Sequence, residues 1–224
     1  EHRQDLVKCV QSFQAALQAD PTNTECLRRL ASVYKGAADW YSAINVLLRL
    51  AEVETQPRAK IVTLLDLASV YEHGAKDRGN AIRANKKVLE LEPTNQEAIL
   101  RLTDLHEQEH DWNSLAEVTG AYVRLLPADQ KTKAAPLHLK MADVFETKLH
   151  DDKRAANALG YALELQPDNA QAIERLARLY AKNAESLPQA IDMHRRLLRI
   201  DPFRVDSLHE MHRMYERLRQ HDKA

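Results

Sequence analysis

Residues 105 to 112, LHEQEHDW, contain His106-Glu107-Gln108-Glu109-His110. This matches H-E-x-x-H, in which two imidazoles one helical turn apart share a zinc ion and the intervening glutamate activates its water. His209 and His212 form a second, looser pair at i, i+3 that could take up adventitious metal. Zinc hydrolysis needs both imidazoles on one rigid turn facing an open site. Here His110 is followed directly by Asp111-Trp112, which reads as the start of a new helix, and no strand pattern frames a cleft. Gly-rich phosphate loops, C-x-x-C and G-x-S-x-G are all missing from the sequence. Acidic pairs abound but sit on charged helical faces, without the apolar pocket that raises a catalytic carboxyl's pKa. The expectation is a packing His106 beside a solvated turn, no metal, no cofactor and no enzymatic activity; a zinc hydrolase built on HEQEH is the alternative.

The elements that carry these residues follow from composition and period. With 5 glycines, 8 prolines, 5% aromatic, 44% hydrophobic and 29% charged residues, the chain favours helices. Its 32 basic and 33 acidic residues leave a net charge of −1, so no global field recruits nucleic acid or an acidic membrane surface. No apolar run reaches the length that spans a bilayer, so no membrane insertion is expected, and the first residues lack signal-peptide order. The chain begins at Glu1 rather than Met, which suggests an excerpt of a longer protein. Cys9 and Cys26 should lie at different heights on antiparallel helices, as two buried free thiols. That mildly favours a reducing, cytoplasmic compartment.

Internal repetition is the strongest signal. ALQADPTNTECLRRLASVY (16–34), VLELEPTNQEAILRLTDLH (88–106), ALELQPDNAQAIERLARLY (162–180) and LLRIDPFRVDSLHEMHRMY (197–215) share one pattern. Pro21 to Pro93 is 72 residues and Pro93 to Pro167 is 74, against 35 from Pro167 to Pro202, so two further units begin near Pro57 and Pro127. Apolar residues recur at helical spacing, as in Leu27, Leu30, Ala31 and Tyr34. Asp39, Asp77, Asp111, Asp151 and Ser186 stand where N-caps are wanted. Each unit thus reads as two helices too thin to bury their own apolar faces, which stacking must cover.

These residues resemble the tetratricopeptide repeat (TPR) family. Leu27, Leu30, Ala31, Tyr34 and Ala43 match its first-unit motif; Leu64, Leu67, Ala68, Tyr71 and Ala81 match the second, and Ile173, Leu176, Ala177, Tyr180 and Ala190 the fifth. The third is looser, with His106 in the tyrosine slot, and the fourth offers Met141, Ala142, Phe145 and Ala155. The resemblance implies an all-α fold, a right-handed superhelical α-solenoid of stacked antiparallel helix pairs over 1–224. Its parts are a cut repeat's second helix (1–20), repeats at 22–56, 57–93, 94–127, 128–167 and 168–202, and a sixth first helix (203–224) with Asp222-Lys223-Ala224 opening an interrupted helix. Odd units start their second helix with Asp-Trp, while even units carry a longer first helix and a one-residue insertion, an alternation similar to long bacterial TPR arrays. Neither end carries a polar capping helix, which implies further repeats or packing between copies.

By the same resemblance, first helices line a concave groove that meets a partner. Leu65, Leu100 and Leu139 occupy equivalent exposed positions there, flanked by Asp66, Arg101 and Lys140, by Ser69, Asp104 and Asp143, and by Glu72, Glu107 and Glu146. Basic patches adjoin this tract: Arg28, Arg29 and Lys35 on one side, Arg175, Arg178, Lys182 and Arg213 on the other. The expected function is a non-catalytic protein-protein interaction scaffold whose groove takes a peptide or amphipathic helix of another protein. Alternatively the leucines pack against neighbouring repeats. Self-assembly through uncapped ends and RNA binding by the basic patches are further alternatives, although the neutral charge balance argues against nucleic acid. A carboxylate clamp is not expected, because Ser32 and Ser69 stand where that pattern wants Asn.

Overall fold

The computed structural model describes residues 2–127, 130–131 and 134–221, with side chains described from residue 7 to residue 219 within them. The expected helix start at Asp222 lies outside these residues. Among the described residues there are twelve α-helices and no strand. The chain divides into two compact units, Glu1–His110 and Asp111–Ala224.

The first unit comprises α1 (His2–Ala19), α2 (Thr24–Gly36), α3 (Trp40–Val53), α4 (Pro57–Ser69), α5 (Arg78–Leu91) and α6 (Gln96–Gln108). The second comprises α7 (Trp112–Leu125), α8 (Ala134–Thr147), α9 (Asp152–Leu165), α10 (Ala170–Tyr180), α11 (Leu187–Ile200) and α12 (Val205–His221). In each unit the two helices of a repeat pack together, α2 on α3, α4 on α5, α8 on α9 and α10 on α11. The second helix then packs on the first helix of the following repeat, α3 on α4, α5 on α6, α9 on α10 and α11 on α12. Ala31 and Ala43, Ala68 and Ala81, Ala142 and Ala155, and Ala177 and Ala190 are all buried. Small side chains at these positions let two helix backbones approach closely, while Leu27, Leu47, Leu50, Leu159, Ile173 and Leu197 fill the space around them.

Capping explains the boundaries. Asp39, Asp77, Asp111 and Asp151 accept from the backbone amides of Ser42, Asn80, Ser114 and Arg154. Ser186 makes no side-chain cap; a short 3₁₀ turn, Ala184–Ser186, leads into α11 with Pro188 in its first turn. Asn23, Asn95 and Asn169, two residues after a proline each time, cap the first helices by accepting from Cys26, Ala98 and Ala172. Cys9 and Cys26 are free but half-buried rather than buried.

The turn between the helices of a repeat is a left-handed stop. Ala38, Lys76, His110 and His150 have φ of 55°, 57°, 55° and 51°. After α2, the Ala38 amide donates to the Lys35 carbonyl and the Asp39 amide to the Tyr34 carbonyl, the paired bonds of a Schellman cap. Glycine is the residue that adopts this conformation without a Cβ penalty. Ala38→Gly is therefore expected to stabilise the first unit by about 1 kcal/mol, read as a higher urea midpoint at unchanged slope.

The one-residue insertion of the even repeats has a physical form. In the second repeat α4 runs on into a π-helical turn, Val70–Ala75, and the Asp77 amide reaches Tyr71, six residues back. In the fourth, the Leu149 amide donates to Val144 and the Asp151 amide to Phe145. Both widened turns absorb one extra residue and still deliver an aspartate to cap the next helix.

Candidate functional site

The HEQEH string is not one helical turn. α6 ends at Gln108, so Glu109 and His110 lie beyond it, and His110 occupies the left-handed stop position. His106, with 3% of its surface exposed, is part of the buried interior, as its tyrosine-slot position implies. One imidazole faces packing atoms and the other sits after the helix terminus, so the i, i+4 register that two zinc ligands require is broken between them. His212 pairs with Glu216 on the exposed side of α12.

In the first unit Leu100 is 64% exposed on α6, a helix whose Leu102 and Leu105 are completely buried. Asp104 and Glu107 are exposed on the same helix, and Arg101 is tied to Glu97. On α4, Leu65 is half-buried against the core and Ser69 is half-buried too, as is Glu72 in the π-helical turn that follows. Val62, which the sequence reading passed over, is 66% exposed. Its spacing of three residues from Leu65 was the available signal, since i and i+3 share a helical face. In the second unit Leu139 is half-buried against the core and Asp143 is exposed.

Most charges in these tracts are already engaged within the chain. Lys35 on α2 donates to both carboxylate oxygens of Asp66 on α4, at 2.7 and 2.5 Å. Arg175 on α10 donates from Nε and Nη2 to one oxygen of Glu146 on α8, at 3.1 and 2.9 Å, and approaches Asp143 at 3.8 Å. These pairs connect first helix to first helix, placing α2 with α4, and α8 with α10, along one face of their units. Arg28 pairs with the buried Glu54, Arg29 with Glu25, Lys182 with Asp152 and Arg213 with Glu210. Of the two basic patches, only Arg178 makes no ion pair with a described residue. It borders a polar hollow of about 290 Å³ with Asp143, Glu146, Gln171, Glu174 and Arg175. In each unit the first helices thus carry apolar side chains beside pairs of opposite charge.

Arginines also staple second helices to the turn before their repeat. Arg49 donates to the Pro21 carbonyl, and Arg196 to the Pro167 carbonyl at 2.8 Å. Proline ends one helix and leaves a carbonyl for the arginine, so the same residue that breaks the chain also orients the next hairpin. Recurrent hairpins, small-residue crossings and proline-anchored turns in one register settle the architecture. The chain resembles the tetratricopeptide repeat proteins. Its units are TPR-like stacks of antiparallel helix pairs, and the all-α reading holds throughout the described residues.

No protein-family model matches the chain. The Drosophila melanogaster protein O-mannosyl-transferase Tmtc1 is 24% identical over 156 residues, covering 70% of this chain and 18% of that protein. The chain therefore spans less than a fifth of that curated relative. Among solved structures, MamA is 16% identical at a TM-score of 0.45, covering 82% of this chain and 94% of that one. YrrB, described as a TPR protein with an unusual peptide-binding site, is 15% identical at a TM-score of 0.44, with 90% and 98% covered. No helix among the described residues is long and apolar enough to cross a membrane.

The TPR-like packing also buries imidazoles in the second unit. Desolvation holds the pKa of His138 and His194 below the usual histidine value. The folded state therefore binds protons less readily than the unfolded chain, whose histidines titrate near 6.5. Stability contributed by the neutral rings is present above that value and is lost as pH falls through it toward the folded pKa. Chemical denaturation at stepped pH is expected to show the second unit weakening below about pH 6.5, with a shallower decline in His194→Leu.

Proposed function

We propose that the chain is a non-catalytic interaction scaffold and that the first helices of its repeats receive a segment of another protein. The observation that carries this reading is the exposure of Val62 and Leu100 on first helices of the first unit, where polar residues would satisfy the fold. Covering each side chain contributes roughly 1.5 kcal/mol or more. The flanking carboxylates and their paired cations set the register of the incoming segment more than its affinity. An amphipathic helix or an extended strand with alternating apolar residues has the required form, and the neighbouring exposed Asp104 favours a basic residue at its edge. In the second unit, taken by itself, Leu139, Lys140, Asp143 and Glu146 on α8 are the candidate residues for such a surface.

Leu65 and Leu139 are half-buried against their cores. Serine at either site removes core packing, so a triple leucine replacement confounds binding with folding. Leu100→Ser is the clean variant. Proteins recovered by the immobilised wild-type chain are expected to be lost, or retained about tenfold more weakly, with Leu100→Ser while the melting temperature stays within a degree or two. An unchanged set of recovered proteins with the variant would remove Leu100 from the surface.

A second reading rests on a separate observation. Phe203, Val205, Leu208 and Tyr215 are 89, 57, 51 and 41% exposed, and the last three form an apolar stripe on α12. A stripe of this kind favours association between copies of the chain. Light scattering across a dilution series reports it: mass that falls on dilution, and stays monomeric in Leu208→Glu, supports the stripe as a contact.

A further inference from the structure

We propose that the cleft between α7 and α9, floored by α8, is a second docking site, which takes a bulky aromatic side chain of a protein segment whose adjacent residues are acidic. The cleft encloses about 520 Å³ and lies wholly within the second unit. That volume is in the range of sites that seat a large side chain together with its flanking backbone. α7 carries Gly120 nine residues after its N-cap, where α3, α5 and α11 carry Leu48, Lys86 and Arg195 and α9 carries Gly160, so this side of the cleft lacks a side chain. A Cβ on Gly120 would meet the flexible ends of Met141, at 3.4 Å, and Arg124, at 3.6 Å, so the glycine is not demanded by close backbone packing. The missing side chain leaves a hollow instead.

The walls suit an aromatic ring. Met141, Phe145, Ala158 and Leu165 supply apolar surface, and Tyr161, 55% exposed, forms the outer lip. The His138 ring lies 5.4 Å from that of Tyr161, an edge against which a third ring can stack. The rim decides the charge of the occupant. Arg154 is committed, with its guanidinium 4.8 Å from the Phe145 ring centroid and Nε bonded to Asp151. Arg124 and Lys131 line the cleft and make no ion pair with a described residue, against a single carboxylate, Glu164. Two cations with no ion pair to a described residue, beside an apolar slot, complement a carboxylate next to an aromatic anchor. The corresponding cleft of the first unit, between α1 and α3, does not share this character. Its apolar lining of Leu17, Leu27, Leu30 and Val46 is bordered by the amides of Gln14, Gln18 and Asn45; its one cation, Arg49, is tied to the Pro21 carbonyl, and Gln14 donates across it to the Tyr34 hydroxyl at 3.3 Å.

The test uses the intact chain and three fluorescein-labelled peptides identical except at the centre, Glu-Glu-Trp-Leu, Lys-Lys-Trp-Leu and Glu-Glu-Ala-Ala, followed by fluorescence anisotropy. The acidic tryptophan peptide is expected to bind, with both counterparts at least about tenfold weaker. Arg124→Glu and Tyr161→Ser, both at exposed side chains, are each expected to weaken it by a similar factor, whereas Leu100→Ser leaves it unchanged, separating this site from the first-helix surface. Absence of binding by every peptide, equal binding of acidic and basic peptides, or indifference to both Arg124→Glu and Tyr161→Ser overturns the proposal. Free indole-3-acetate binding as tightly as the peptide also overturns it, since the cleft would then be a small-molecule pocket.

Discussion

Gly74→Ala is expected to destabilise the first unit by about 1–3 kcal/mol, although alanine ordinarily stabilises a helical backbone relative to glycine by roughly 1 kcal/mol. The reason is the face of Trp40. A Cβ on Gly74 would lie 2.5 Å from Cδ2, 2.7 Å from Cε3 and 2.9 Å from Cγ of the indole. These are atoms of a rigid ring packed into the first unit's core, not the loose end of a side chain. The π-helical turn of the second repeat therefore requires a residue without a Cβ where the tryptophan of the preceding repeat lies over it. Combining Gly74→Ala with Trp40→Leu is expected to recover much of the loss, and a double-mutant cycle measures the coupling. In the second unit the same contact takes another form: Lys148, at the position matching Gly74, places its ammonium 5.2 Å from the centroid of Trp112. A cation over an aromatic ring replaces bare backbone beneath it.

Arg175→Met is the second large effect expected, a loss of about 2–4 kcal/mol. The side chains of Arg175 and Glu146 are 16% and 18% exposed, so they are screened far less than an open surface pair. Removing the guanidinium leaves a largely buried carboxylate without its donor, while methionine retains most of the apolar stem. Glu146→Gln in the methionine background should restore part of the loss, because the orphaned charge is removed. Denaturant titration of the four proteins isolates the pair. A change below about 0.5 kcal/mol in Arg175→Met would mean that the bridge between α8 and α10 is incidental.

Repetition made most of the fold legible. Prolines, small residues and capping aspartates are fixed by local rules that act within one hairpin, so Asp39, Asp77, Asp111 and Asp151 could be placed without coordinates. The prolines also announced the Asn caps, since Asn23, Asn95 and Asn169 follow them at constant spacing, but the side-chain oxygen competes there with ordinary turn roles. Less legible was what lies between hairpins. Asp66 and Glu146 read as charges awaiting a partner, yet Lys35 and Arg175 of neighbouring first helices take them, at separations of 31 and 29 residues that only the stacking brings together. The three leucines, equivalent in register, differ in exposure because each meets different neighbours: Leu100 is open, while Leu65 and Leu139 lean on their cores. Asn85 and Thr119 stand where repeat periodicity suggests a large apolar residue, as Leu47 and Leu159 are. Both bond back to their own helix, to the Ala81 and Leu115 carbonyls, which removes part of the cost of burying them.

A photo-crosslinking amino acid placed at position 100 tests the first-helix surface most directly, with the same group at exposed Lys86 on the second helix α5 as the comparison. The account predicts discrete protein adducts from position 100 that disappear when a competing partner segment is added, and none from position 86. Adducts from position 86 alone, or equal labelling from both, would contradict it.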